Sequence, residues 1–126
     1  MFLGLRSLIY PAPDLESAKV WYTQALGIEP YFDEPFYVGF DVGGYELGLY
    51  PEGDVAAGPK TYWGVADVEA ALAHLVNAGA TVVDAIADVG GGIRMAVVRD
   101  PVGNLFGIIE NPEFEARAVE SPGPGR

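Results

Sequence analysis

The 126-residue chain has no cysteine and a single histidine, His74. Disulfides, thiolate zinc sites, iron–sulfur clusters and cysteine nucleophiles are thereby excluded together, and the composition suits a reducing compartment. Bases are scarce too: 7 Lys and Arg stand against 18 Asp and Glu, for a formal net charge of -11. Binding to phosphate backbones draws on cations that release counterions, so neither nucleic acid nor an anionic membrane is an expected partner. Cationic small molecules would be attracted, although net charge can also serve solubility alone. No apolar run approaches membrane-spanning length, and residues 1–10 lack the basic start and small-residue cleavage site of a signal peptide. A soluble, cytoplasmic protein is the expectation.

What is present is a folded composition, half hydrophobic and 12% aromatic, in a length suited to one domain with a core of its own. Residues 2–10 are apolar and stop at Pro11 and Pro13, which predicts a strand. Asp14 is a helix-capping residue, and Leu15, Ala18, Trp21, Tyr22, Ala25 and Leu26 recur at helical spacing until Gly27. Trp21 and Tyr22 are both expected on the inner face of that helix. Strands are predicted over 29–33, 36–41 and 45–50, with a tight hairpin at Gly43-Gly44. After a Gly- and Ala-rich connection over 51–59, a second round begins. It comprises a strand at 60–65, a helix capped by Asp67 and ending near Gly79, and strands at 81–87, 93–99 and 104–109.

The rounds superpose in sequence: Asp14-Leu15-Glu16-Ser17-Ala18 answers Asp67-Val68-Glu69-Ala70-Ala71. Each is a β-α-β-β-β module, and one helix cannot cover four strands, so two modules are expected to share a sheet. The expected fold is α+β, with module one at 1–52 and module two at 60–112 in a single domain. Residues 113–126, ending in Pro-Gly-Pro-Gly-Arg, are expected to be a tail.

Two such modules, with Asp-Leu-Glu-Ser-Ala opening the first helix, Ala25-Leu26-Gly27 closing it and Asp100-Pro101-Val102-Gly103-Asn104 before the last strand, resemble the vicinal oxygen chelate superfamily. Glyoxalase I, extradiol dioxygenases and bleomycin resistance proteins belong to it. The resemblance spans residues 3–112 and implies a U-shaped mixed-sheet cleft, a homodimer, and a site inside the cleft. It also implies four metal-ligand positions, which fall here on Ser7, Glu46, Lys60 and Gly107. Only Glu46 is a strong ligand type, so no metal residues are assigned and no cofactor is expected; a divalent metal belongs only to the enzyme alternative. His74 lies off the apolar stripe of the second helix and is expected to face solvent.

Extended by strand alternation, the four positions the resemblance implies would put Leu5, Ser7 and Ile9, then Gly44, Glu46, Gly48 and Tyr50, then Lys60, Tyr62 and Gly64, and finally Leu105, Gly107 and Ile109 on the cleft side. Gly48, Gly64 and Gly107 are expected to keep the cleft open. Ser7, Glu46, Tyr50, Lys60, Tyr62 and Gly107 form the candidate ligand-binding set. Glu46 and Lys60 admit three readings: a salt bridge replacing a metal, a pair of ligand anchors, or a general base with an oxyanion partner. The leading functional expectation is a metal-independent protein that binds, and thereby sequesters, a cationic or aromatic small molecule. The alternative is a glyoxalase-type lyase or isomerase, metal-dependent through atypical ligands or metal-free with Glu46 as the catalytic base.

Overall fold

The computed structural model describes residues 1–114. Strand β1 (Phe2–Pro11) leads into helix α1 (Leu15–Leu26), strands β2 (Phe32–Glu34), β3 (Tyr37–Val42) and β4 (Tyr45–Tyr50), then β5 (Lys60–Val65), helix α2 (Val68–Asn77) and strands β6 (Thr81–Gly90), β7 (Ile93–Arg99) and β8 (Leu105–Glu110). Among the described residues these eight strands form one mixed sheet in the order β2-β3-β4-β1-β5-β8-β7-β6. The modules meet where β1 runs antiparallel to β5, with Ser7 opposite Tyr62 and Ile9 opposite Lys60. Within each module the crossover through a helix makes one parallel pair, β1 with β4 and β5 with β8. The expected two-module α+β architecture is therefore present. No helix among the described residues is long and apolar enough to cross a membrane.

Local chemistry sets the element ends. The Asp14 carboxylate accepts the Ser17 N–H at 3.1 Å, and the Asp67 carboxylate accepts that of Ala70 at 3.0 Å, so each helix starts on an acidic cap. Gly27 closes α1 at φ 72°, a left-handed conformation that costs glycine little. Gly43 and Gly44, at φ 64° and 92°, form the two-residue turn that brings Val42 opposite Tyr45.

Both helices pack on one face of the sheet. Under α2 lie Val65, Ala96 and Ile108, met by Val68 and Ala71, all nearly or fully buried. Under α1 lie Val38, Phe40 and Leu49, met by Leu15, Ala18 and Tyr22, which are only partly buried. Withdrawing a Phe40, Leu49 or Ile108 side chain from water contributes about 1.5–3 kcal/mol each, so these positions hold the helices to the sheet. The opposite face carries Ile9, Tyr62, Met95, Val97 and Ile109, a smaller apolar cluster.

Several details differ from the sequence expectations. The strand expected at 29–33 starts only at Phe32. Pro30 has no N–H to give a neighbouring strand, although the Tyr31 N–H still bonds the Gly39 carbonyl at 3.0 Å. Strand β6 continues to Gly90, and its pairing with β7 is broken by irregularities that bend this edge. Trp21 is 59% exposed and packs edge-on against Tyr22, whereas Tyr22 itself stacks on Tyr10. Helical spacing alone does not separate these adjacent residues, one at the margin of the buried stripe and one past it. His74 is exposed, as expected. Of the segment expected as a tail, Glu113 and Phe114 lie against the sheet face opposite the helices, and 115–126 falls outside the described residues.

Candidate functional site

On the helix-free face the curved sheet encloses a cavity of about 890 Å³ to which both modules contribute. Its size falls in the range of small-molecule sites. Module one supplies an aromatic and acidic wall: Phe32, Phe36, Tyr45 and Tyr50, with Tyr31, Tyr37 and Glu46 at the centre and Asp41 beside them. Module two supplies an aliphatic wall of Val89, Ile93, Met95 and Ile109. The segment after β8 brings Asn111, Glu113 and Phe114 to the cavity lining.

Glu46 is the centre of this arrangement. It projects from β4, opposite Ser7 on β1 and Asp41 on β3. Its Oε1 accepts a hydrogen bond from the Tyr31 hydroxyl and its Oε2 one from the Tyr37 hydroxyl. Two glycines make this possible. Gly39 and Gly48 are paired across β3 and β4, leaving a trough without side chains on the cleft face. A Cβ on Gly48 would stand 2.6 Å from Tyr37 Cζ, and one on Gly39 would stand 3.1 Å from Tyr31 Cε1. Loss of hydration pushes the Tyr31 and Tyr37 phenols well above the ordinary tyrosine range, and the nearby Glu46 carboxylate pushes further the same way. Both therefore remain donors at neutral pH. A carboxylate offers about four lone-pair directions, so each Glu46 oxygen retains acceptor capacity toward the cavity.

On β1, the strand that pairs with β4, a bulge falls between Leu5 and Ser7 in the pairing with β5. The extra residue, Arg6, joins Ser7 in lining the cavity, while Leu5 pairs with Trp63, which stacks on Phe106 away from the cleft. Simple alternation had set Leu5 on the cleft face; the bulge replaces it with a base. The Arg6 guanidinium lies 3.8 Å over the centre of the Phe114 ring, and Phe114 in turn packs on Tyr45.

Of the residues expected at the site, Ser7, Glu46 and Tyr50 line the cavity. Lys60 is half-buried opposite Ile9 on β5, and no ion pair among the described residues joins it to Glu46. Tyr62 is buried in the apolar cluster with Val97 and Ile109. Its ring fills the space above Gly107, where a Cβ would stand 2.6 Å from Tyr62 Cδ1. Burial, with a smaller effect from the charge of Asp84, pushes the Tyr62 phenol up to about 12. Gly64 is likewise covered, by the Arg6 side chain, whose Nε would lie 2.6 Å from an added Cβ. The three glycines expected to open the cleft instead seat Tyr37, Arg6 and Tyr62. Sequence reasoning missed Tyr31, Tyr37, Arg6 and Phe114. The available signal was two glycines facing each other across a hairpin, with tyrosines nearby to fill the gap.

The donor set does not fit a divalent metal. Across the sheet the register runs Glu46, Ser7, Tyr62, Gly107, which offers one carboxylate already holding two phenols. Among the described residues there is no group of three or more His, Cys, Asp or Glu side chains that could hold a metal ion.

Comparison with known proteins places the fold. A glyoxalase/bleomycin resistance/dioxygenase superfamily protein from Vibrio splendidus 12B01 superposes with a TM-score of 0.66 at 23% identity, covering 84% of this chain and 97% of that one. Streptomyces coelicolor methylmalonyl-CoA epimerase gives 0.68 at 20% identity, covering 97% and 100%. The Mn(II)-bound glyoxalase from Novosphingobium aromaticivorans gives 0.70 at 17% identity, covering 96% of this chain but 43% of that longer one. At these identities the likeness is one of fold. No curated protein matches the chain. The family profile, however, matches residues 4–108, nearly the whole described region, and with the two-module sheet it shows that the chain belongs to the Glyoxalase/Bleomycin resistance protein/Dioxygenase superfamily.

Proposed function

We propose that the protein is a metal-independent small-molecule-binding member of this superfamily whose cleft sequesters an aromatic cation. The observation that carries this reading is the Glu46 carboxylate, held by the Tyr31 and Tyr37 hydroxyls inside an aromatic-walled cavity. The two phenols fix the orientation of the Glu46 carboxylate, so an entering ammonium meets a preformed partner and little ordering is left to binding. Glu113 adds to the negative field of the cavity, and Phe32, Phe36, Tyr45 and Tyr50 offer faces for a planar body.

The test is a melting series on protein purified without chelator. Aromatic amines should raise the melting temperature in a saturable way, and Mn, Fe, Ni or Zn should not. Stoichiometric bound metal, or turnover of a hemithioacetal or thioester that depends on added metal, would replace this reading with that of a glyoxalase-type lyase or isomerase.

A further inference from the structure

Among the described residues Arg6 is the one base lining the cavity, which also carries the carboxylates of Asp41, Glu46 and Glu113. Among the described residues its guanidinium forms no ion pair with any of the three and no hydrogen bond; its contact is the Phe114 ring. Three features place it there. The β1 bulge turns it into the cleft, Gly64 leaves a bare stretch of β5 for its stem, and Phe114 supports one face of its plane. A guanidinium stacked on an aromatic ring keeps its in-plane N–H donors free, and two of them match the two oxygens of a carboxylate.

We infer that Arg6 is a second ligand anchor, for a planar oxyanion, and that the cleft selects aromatic molecules bearing both an ammonium and a carboxylate. The inference rests on the reading of Glu46 as the cation anchor. Glu46 takes the ammonium on the module-one wall, Arg6 takes the carboxylate beneath Phe114, and the aromatic body lies between the aromatic and aliphatic walls. An aromatic amine lacking the carboxylate engages only Glu46. An aromatic acid lacking the amine meets Arg6 but brings no cation to the Glu46 carboxylate.

Isothermal titration with benzylamine, benzoate and the ortho, meta and para (aminomethyl)benzoates tests this, the isomers covering the spacing between the anchors. At least one isomer should bind ten-fold or more tightly than benzylamine. Arg6→Gln should abolish that gain while benzylamine binds at least as well as before. Gly64→Ala, which keeps the arginine but pushes its stem off β5, should reduce the gain as well, with circular dichroism and melting confirming that both variants fold. If benzylamine binds through Glu46 but no isomer improves on it, or if the gain survives Arg6→Gln, the Arg6 assignment falls and the cation reading stands. If benzylamine itself does not bind, both fall.

Discussion

Tyr37 occupies the space that a side chain on Gly48 would need, and so reaches Glu46 from the neighbouring strand. The candidate site thus depends on a residue that has no side chain. Gly48→Ala would press its methyl into the Tyr37 ring, and overpacking of a buried contact costs about 1–3 kcal/mol. Denaturant unfolding of Gly48→Ala, Tyr37→Phe and the double variant should be non-additive, because both substitutions act on one contact.

The tyrosines predict an alkaline loss of stability. In the unfolded chain a tyrosine ionises near pH 10. In the folded protein Tyr62 does so only near pH 12, and Tyr31 and Tyr37 are raised as well, so the folded state holds more protons across this window. Stability from these groups is complete below about pH 10 and is lost above it as pH rises toward the folded values, by about 1.4 kcal/mol per pH unit for the buried Tyr62 and by less for the solvent-screened Tyr31. Ultraviolet titration of the phenolates should show a late class that is released together with unfolding, and Tyr62→Phe should make the decline shallower.

Trp21 and Tyr22 should respond unequally to truncation despite being adjacent. Trp21→Ala removes an exposed ring and its edge contact, a loss below about 1 kcal/mol. Tyr22→Ala removes the partner of Tyr10 under α1, a loss of about 2 kcal/mol. Urea unfolding of the two variants measures the difference.

Those two side chains also mark how far the sequence is legible. Both helices, their acidic caps, the glycine hairpins and most strand limits follow from local rules, because caps, turns and periodicity act within a few residues. The repeat indicates that two modules share a sheet but not the order β4-β1-β5-β8, since no local signal states which strands from distant parts of a chain pair. Glu46 was legible because it stood where a ligand is expected. Tyr31 and Tyr37 were not, because their role depends on the space above Gly39 and Gly48, a property of two paired strands. Arg6 was hidden by one bulge, which shifts the facing of every residue beyond it.

Gly107→Ala supplies a further check on the occupied glycines. The added methyl would meet the Tyr62 ring and lie 2.5 Å from the Thr61 carbonyl oxygen. Because the second neighbour is backbone and cannot rotate away, this variant should be destabilised more than Gly64→Ala, where only the flexible Arg6 side chain is displaced. Thermal unfolding of the pair gives the ranking.

The most direct measurement is a calorimetric titration of benzylamine into metal-free protein, with and without EDTA, in parallel with Glu46→Gln. The account predicts one saturable site per chain, indifferent to chelator, with affinity reduced at least ten-fold in the variant. Binding that vanishes with EDTA, or that is unchanged in Glu46→Gln, would contradict it.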